Sequence, residues 1–366
     1  MDNFNMESDE SLETQREIME SDKSLETQRE SMENQLIEPK KLLEMKNLKV
    51  YFVADDKELK AVDDVSYYIN EGETLGIVGE SGCGKSVSSM AILRLLDSPP
   101  AKYAGGEILF EGKDLLKISN DEMRKIRGNE ISVIFQEPMT SLNPIKSVGD
   151  QIAEAMILHQ GLSKSVARTE VIKLLELVRI PNAERIVDEY PFTLSGGMCQ
   201  RCMIALALAC KPKLLIADEP TTALDVTIQA QVLQLMNELK DTIGASIIFI
   251  THDLGVIAEM ADRVMVMYAG KVAEVADVVE IFESPKHPYT IGLIRSKPDM
   301  ETDADRLEVI PGNVPDLNSK PEGCPFHPRC ESAGPRCSEE FPEETIISDS
   351  HKVACWLYME GGVGYE

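Results

Sequence analysis

Residues 79–86 read Gly-Glu-Ser-Gly-Cys-Gly-Lys-Ser, a glycine-rich run that ends in a lysine and a hydroxyl. The apolar stretch TLGIV precedes the run and the helix-like stretch VSSMAILRLL follows it. A glycine-rich turn between a strand and a helix lets backbone N–H groups point together at the positive end of the helix. This pattern is typical of a loop that binds a chain of phosphate groups.

Two side chains of this loop could act on the phosphates. Lys85 can neutralise β- and γ-phosphate oxygens, and the hydroxyl of Ser86 can ligate Mg²⁺. We therefore predict a nucleotide site with Mg²⁺ at this loop. Its predicted contacts are Gly79, Ser81, Gly82, Cys83, Gly84, Lys85, Ser86 and Val87.

A second apolar run, LLIADE, delivers two adjacent carboxylates at residues 218 and 219. Asp218 is suited to the Mg²⁺ shell, and Glu219 is suited to orienting or deprotonating an attacking water. Two acids after a strand could also be a solvated strand end. The phosphate loop favours the catalytic interpretation.

These residues require a sheet with helices around it. The runs TLGIVG, KLLIADEP and SIIFITHD are almost continuously apolar, and helix-like stretches follow them. Strands of this kind are buried on both faces, which predicts the α/β class. From about residue 145 to about 200 the strand-like runs vanish, and apolar residues recur at helical spacing. We predict an inserted helical subdomain there.

Composition changes at both ends of the chain. Residues 1–40 are acidic and contain SLETQRE twice, which predicts a disordered extension. Residues 41–285 carry the nucleotide motifs. Residues 286–366 are rich in Pro, Gly, Asp and Cys, and we predict a separate, irregular module there.

The net charge of the 366-residue chain is -26. This charge argues against nucleic acid as a partner, because phosphate backbones would be repelled. The sequence has no apolar run of about 18 residues that could span a bilayer. We expect a cytoplasmic chain unless another protein holds it at a membrane.

The eight cysteines form two groups. The first group lies in apolar or glycine-rich stretches, where a buried hydrophobe is the expected role, and comprises Cys83, Cys199, Cys202 and Cys210. The second group lies in a Pro-rich segment and comprises Cys324, Cys330, Cys337 and Cys355. A reducing compartment favours metal ligation there over disulfides. The residues alone permit zinc or an iron–sulfur cluster equally, and free thiols are the third alternative. His351 could replace one thiolate or be structural.

Residues 194–201, Leu-Ser-Gly-Gly-Met-Cys-Gln-Arg, resemble the signature of ATP-binding-cassette (ABC) ATPases. The resemblance implies a P-loop NTPase fold, in which a RecA-like core carries an antiparallel β subdomain and an inserted helical subdomain. It also implies ATP hydrolysis between two cassettes packed head to tail. The signature residues expected to contact ATP held by the partner are Ser195, Gly196, Gly197 and Gln200.

Other motifs follow in the order of that family. Gln136 resembles the Q-loop glutamine, which would sense Mg²⁺ and the attacking water, and Asp225 resembles the D-loop aspartate. His252 resembles the switch histidine, which would hold the γ-phosphate and help orient Glu219. Phe52 resembles the aromatic that stacks on adenine, with Tyr51 as its competitor. Thr222 replaces the usual serine of the D-loop in that family.

The stretches GETLGIVGESGCGKS, SLNPIKSVGDQI, PKHPYTIGLI and GCPFHPRC resemble the D-type ATPase of oligopeptide and dipeptide permeases. The resemblance implies a [4Fe–4S] cluster on the four terminal cysteines and a peripheral position at the cytoplasmic face of the membrane. The implied partners are a second cassette (an F-type relative or a second copy), two permease subunits and an extracytoplasmic solute-binding protein. The alternatives are nickel uptake, a non-transport ABC ATPase, and a redox-responsive regulator acting through the cysteine tail.

Overall fold

A computed structural model describes residues 40–54, 57–222, 224–296 and 309–359. Residues 1–39 lie outside the described part of the chain, and both copies of the repeat fall within them. Four strands form an antiparallel sheet in the order β2-β1-β4-β5. Their bounds are β1 Lys41–Ala54, β2 Lys57–Asn70, β4 Ala101–Phe110 and β5 Lys113–Asp114.

The second sheet has eight strands in the order β11-β12-β10-β9-β3-β8-β7-β6. Their bounds are β3 Thr74–Val78, β6 Ile131–Ile134, β7 Leu214–Asp218, β8 Ser246–Ile250, β9 Arg263–Tyr268, β10 Lys271–Asp277, β11 Thr345–Ile346 and β12 Lys352–Val353. Strands β9, β3, β8, β7 and β6 are mutually parallel. Every residue of β3, β7, β8 and β9 is buried, which confirms the α/β prediction.

Helices cover this sheet. They are α1 Lys85–Ile92, α2 Asn120–Ile126, α3 Pro138–Ser141, α4 Val148–Gln160, α5 Lys164–Leu177, α6 Ala183–Ile186, α7 Gly196–Leu208, α8 Val226–Ile243, α9 Leu254–Met260, α10 Val278–Glu283, α11 Pro288–Arg295 and α12 Arg336–Glu339. Helices α3 to α7 all lie between β6 and β7 in the chain. Ser147 and Ser163 cap the N-termini of α4 and α5, since each hydroxyl accepts a backbone N–H three residues on.

The segment after residue 285 is joined to the large sheet, contrary to the prediction of a separate module. Strand β12 pairs with β10, and β11 pairs with β12. The chain from Lys41 onward clusters as one unit. Phe326 is 3% exposed and lies edge-on to Tyr268, with ring centroids 5.2 Å apart. The segment therefore covers the β10 edge and uses the main core in place of its own.

A buried polar group fixes this attachment. The Glu274 carboxylate is fully buried and accepts backbone N–H groups from Lys286 and His287, at 2.6 and 2.9 Å. The Nε2 atom of His351 lies 2.7 Å from the same carboxylate. This contact supports the structural role for His351 over the role of a metal ligand.

Replacing His351 by alanine should lower the free energy of unfolding by about 1–3 kcal/mol, because Glu274 loses a buried hydrogen-bond partner. Urea unfolding of the full chain measures the change. His252→Ala is the matched control, since that side chain is 66% exposed and should change stability by less than about 0.5 kcal/mol. Equal effects of the two variants would contradict the assignment.

Candidate functional site

The predicted site residues follow the carboxyl ends of four neighbouring strands. The glycine-rich loop follows β3, His252 follows β8, Asp218 and Glu219 lie at the end of β7, and Gln136 follows β6. These strands are adjacent and parallel in the order β3-β8-β7-β6. Carboxyl ends of parallel strands meet at one edge of the sheet, where ligands of open α/β folds bind. The fold therefore brings together residues that are far apart in the sequence.

The loop between β3 and α1 depends on glycine at two positions. Gly79 and Gly84 have φ values of 153° and 99°. A Cβ at Gly79 would lie 2.2 Å from the carbonyl oxygen of Met267, and one at Gly84 would lie 2.5 Å from that of Ala61. The loop thus folds closely against the chain behind it, with its other side toward α1. The first turn of α1 has no acidic residue to offset its dipole.

Lys85 is 6% exposed and curls back over the loop. Its Nζ atom donates to the carbonyl oxygens of Gly79 at 2.7 Å and Glu80 at 3.2 Å. Cys83 is fully buried, and burial raises the pKa of its thiol, whereas Ser81 is exposed. A buried ammonium held by backbone carbonyls can exchange these partners for phosphate oxygens.

Ser86 and Asp218 form a pair of oxygen donors beside this loop. The hydroxyl of Ser86 donates to Oδ1 of Asp218 at 2.9 Å. Asp218 is 5% exposed, and burial raises its pKa, opposed by the Ser86 hydrogen bond. Hydroxyl and carboxylate oxygens are the ligands that Mg²⁺ prefers. This pair fits a Mg²⁺ ion bound beside nucleotide phosphates.

Glu219 is the meeting point of three polar side chains. The amide of Gln136 donates to its Oε2 atom at 3.0 Å, and the hydroxyl of Thr222 donates to the same atom at 2.9 Å. His252 Nδ1 lies 3.4 Å from Glu219 Oε1. Glu219 has a φ of 47°, and its backbone N–H donates to Ile250. The backbone thus holds this carboxylate at the strand edge.

The signature residues form an exposed surface elsewhere on the chain. Ser195 caps α7, and Asp225 caps α8 by accepting from the backbone N–H of Ile228 at 2.9 Å. Ser195, Gly196 and Asp225 are exposed, and Gly197 is partly exposed.

Gln200 is 1% exposed, and its side-chain amide donates to the carbonyl of Pro220. The structure does not bring Gln200 to the exposed start of α7, contrary to the sequence prediction, because its helix position faces the interior.

Of the two candidate aromatics near the end of β1, Phe52 has the more exposed ring. Tyr51 is 9% exposed, and its hydroxyl donates to Asp63 at 2.9 Å. Burial and this bond to a carboxylate raise the pKa of Tyr51 to about 12. Phe52 and Val87 are both partly exposed. The structure thus favours Phe52 as a stacking surface.

The four terminal cysteines line one small cavity of about 20 Å³, together with His287, Phe326 and Trp356. Burial raises the pKa of Cys324 to about 12 and that of Cys355 to about 11. The charges of neighbouring cysteine thiolates raise both pKa values as well. Within the described residues, no three His, Cys, Asp or Glu side chains are arranged to hold one metal ion. The four cysteines therefore lie around one cavity, but their side chains are not arranged as the ligands of a single ion.

Comparison with known proteins shows which family this chain belongs to. The family model of the ABC transporter matches residues 62–222, and the model of the oligopeptide/dipeptide transporter C-terminal region matches residues 273–337. The chain is 52% identical to the dipeptide transport ATP-binding protein DppD of Bacillus subtilis, over 87% of this chain and 95% of that protein. It is 49% identical to the oligopeptide transport ATP-binding protein OppD of Haemophilus influenzae, over 87% and 98%.

The chain belongs to the ATP-binding proteins of peptide ABC transporters. A solved dimer of the ABC transporter cassette MJ0796 matches with a TM-score of 0.58 and 28% identity, over 64% of this chain and 98% of the cassette. A post-hydrolysis dimer of the same cassette, bound to ADP and phosphate, matches equally well. The chain is therefore an ABC ATPase with the cassette fold. None of the helices in the described part of the chain combines the length and the hydrophobicity that a membrane span requires.

Sequence reasoning missed several contacts of this ABC ATPase. Thr222 stood out only as a departure from serine, yet its hydroxyl bonds to Glu219. Glu80, inside the phosphate loop, pairs with Arg329 at 2.7 Å, and its backbone N–H donates to the Tyr289 hydroxyl at 2.8 Å. A signal for Thr222 was its spacing of three residues from Glu219. Nothing in the sequence signals a pairing across 249 positions.

Asp218→Asn should preserve or raise thermal stability at pH 7 in the absence of Mg²⁺. Burial places the folded pKa of Asp218 above 3.8, so its stabilising effect is complete at low pH and is lost as pH rises through the folded value. The amide removes that pH dependence. Magnesium-dependent ATPase activity should fall by at least about 100-fold.

Thermal unfolding at several pH values, paired with ATPase rates, checks this expectation. Asp188→Asn is the control, and its effect on stability should depend on pH in the opposite direction. The reason is that the exposed pair with Arg168 lowers the pKa of Asp188. A strongly destabilised Asp218→Asn variant would show that this carboxylate has a structural role.

Proposed function

We propose that this ABC ATPase hydrolyses ATP to power the uptake of dipeptides or oligopeptides through partner permease subunits. The observation that carries the proposal is the convergence of Gln136, Thr222 and His252 on Glu219, next to the Ser86–Asp218 pair. Relatives named for dipeptide and oligopeptide transport support the cargo class. The matched peptide-transporter C-terminal region supports it as well.

The proposed reaction is in-line attack of water on the γ-phosphate of ATP, which breaks the bond to the oxygen bridging the β- and γ-phosphates and releases ADP and inorganic phosphate. Glu219 orients the water and takes up its proton, while Gln136 and His252 hold that carboxylate in place. Lys85 exchanges its carbonyl partners for β- and γ-phosphate oxygens, and Phe52 stacks on adenine. Ser86, Asp218 and Gln136 would hold Mg²⁺, which neutralises charge that develops on the phosphates.

A second cassette would complete the site. Ser195, Gly196 and Gly197 begin α7 with donors and without bulk, which suits contact with a γ-phosphate held by another subunit. Phe192 and Val226 are 66% and 84% exposed near this surface, and such apolar side chains are suited to burial in an interface. The matched cassette dimer supports pairing. The partner would be an F-type relative or a second copy of this chain.

The permease would contact the helical region. Ile145 and Leu158 are 82% and 74% exposed. Leu158 also lines a cavity of about 680 Å³ with Gly149, Ala153 and Ile157, and charged residues of both signs complete its lining, among them Lys146, Arg168, Asp150 and Glu154. An amphipathic helix end fits such a groove. We propose that two permeases hold the ATPase at the cytoplasmic face of the membrane, and that a solute-binding protein delivers peptide to them.

The proposed domain limits follow these roles. Residues 41–285 form the nucleotide-binding domain with its helical subdomain at about 145–200. Residues 286–366 form the extension that carries the cysteine cavity, and the acidic segment 1–40 stays a prediction from its composition. Nothing in this arrangement needs nucleic acid as a partner.

We also propose that the cysteine cavity holds a [4Fe–4S] cluster. Thiolates bound to one zinc ion at about 2.3 Å bring their sulfurs within about 4 Å of each other, and the described side chains form no such group. A four-iron cluster places its thiolates further apart, at its outer corners, which suits four cysteines around a shared cavity. Bound there, the cluster would supply cross-links between chain segments that have little other regular structure.

Glu219→Gln should lower kcat for ATP hydrolysis by about 10²–10⁴-fold while leaving ATP bound, because the amide cannot take up a proton. Size-exclusion chromatography with ATP should then show trapped dimers. Uptake of a labelled dipeptide by cells carrying the variant should be abolished. Glu238→Gln is a matched control, since that exposed carboxylate pairs with Arg179 on the surface. Wild-type hydrolysis by Glu219→Gln would remove Glu219 from its role.

Anaerobically purified full-length protein should contain about four iron and four sulfide per chain, as expected for the cluster, and absorb visible light. Cys330→Ser should lose most of this iron and colour. Cys210→Ser is the control, since this buried thiol contacts the carbonyl of Ala155 and should retain both. Recovery of one zinc per chain, or of no metal, would contradict the cluster.

A further inference from the structure

The extension contacts the phosphate loop through Arg329, whose side chain is 5% exposed. Its Nη1 and Nη2 atoms donate to the two carboxylate oxygens of Glu80, at 2.7 and 3.1 Å. Glu80 is the second residue of the loop. Two parallel N–H···O bonds between a guanidinium and a carboxylate fix both distance and orientation. Arg329 therefore constrains the phosphate loop through the side chain of Glu80.

The remaining donors of Arg329 are also used. Its Nε atom donates to the carbonyl of Pro311 at 2.8 Å, and Nη1 also donates to the Tyr268 hydroxyl at 3.2 Å. A guanidinium bound on several sides has little freedom to follow Glu80 if the loop moves. The anchor is thus rigid, and the loop is the part that it restrains.

A second contact acts on the backbone of the same loop residue. The Glu80 N–H donates to the hydroxyl of Tyr289, a fully buried residue of α11. The Glu80 carbonyl accepts from Lys85. The side chain, N–H and carbonyl of Glu80 are therefore all engaged. Two of these three contacts come from residues beyond 285, outside the part of the chain that carries the nucleotide motifs.

We propose that Arg329 is a positioning residue for the nucleotide site. By holding Glu80 it keeps the loop in the shape that receives phosphates, so ATP affinity depends on the extension. Cys330, the next residue, lines the cysteine cavity, and the backbone joins that cavity directly to the anchor. The inference rests on the proposed binding of ATP at this loop. It adds a residue that touches neither the nucleotide nor the reacting atoms.

The test uses the full chain with Arg329→Gln, Arg329→Lys and Glu80→Gln. We expect Arg329→Gln to raise the ATP dissociation constant, measured calorimetrically without Mg²⁺, and the KM for MgATP by about tenfold (about 1.4 kcal/mol). The kcat should stay within about twofold, because the residues around Glu219 are untouched. Arg329→Lys should give an intermediate value, since lysine keeps the charge but lacks the fork.

A non-additive effect of the two substitutions on ATP affinity would show that Arg329 and Glu80 act as a pair. If Arg329 acts through Glu80, the double variant Arg329→Gln/Glu80→Gln should bind ATP no more weakly than the poorer single variant. Arg336→Gln is the matched control, because it removes a cation of the same extension that lies over the Trp356 ring, 3.8 Å from its centroid. This control should bind ATP as wild type does.

Unchanged affinity and KM in a folded Arg329→Gln variant would overturn the proposal, as would a loss confined to kcat. If Arg329→Gln does not fold, Glu80→Gln decides: a tenfold weaker affinity supports the proposal, and wild-type affinity overturns it. Failure of wild-type protein to bind ATP would instead overturn the proposed nucleotide site. The two failures are therefore distinguishable.

Discussion

The structure depends on one electrostatic constraint: a cation, Lys85, and two carboxylates, Asp218 and Glu219, must lie close together at the edge of a sheet that is largely apolar. Lys85 and Asp218 are both nearly buried, so each charge needs fixed partners. Backbone carbonyls supply them for Lys85, and the Ser86 hydroxyl supplies one for Asp218. These partners are also groups that can be exchanged for phosphate and Mg²⁺. The same arrangement that makes these two buried charges tolerable prepares the site for its ligand.

Parallel strands make this arrangement possible. Each of β3, β8, β7 and β6 ends at the same edge and passes into a loop with a functional side chain. Because these strands are apolar along most of their length, with Ser132 of β6 as a buried exception, most of their polar residues lie at the ends. The sheet thereby places functional residues that are far apart in the sequence next to each other. Ser195 and Gly196 are exposed at the start of α7, and the proposed function assigns them to the nucleotide site of a second subunit.

The extension has a place in this scheme that its composition did not indicate. Pro-rich and cysteine-rich sequence suggested an independent module, yet its two short strands continue the large sheet beyond β10. A segment too short for its own core gains stability by using the core of its neighbour. Phe326 does this by contacting Tyr268 and Tyr289. Arg329 lies three residues later, which places its guanidinium against the phosphate loop.

The sequence by itself determined the α/β class, the phosphate loop and the order of Gln136, Asp218, Glu219 and His252, because these depend on local patterns: strand hydrophobicity, glycine at turns, and a polar residue after a strand. Only the tertiary structure decided which way each side chain faces and what lies behind it. Gln200 turned inward because helix phase is set by packing. The Arg329–Glu80 pair, the gathering of four cysteines and the joining of the extension to the sheet are contacts between distant segments. No local pattern encodes such contacts, since they arise only when the strands have set the segments side by side.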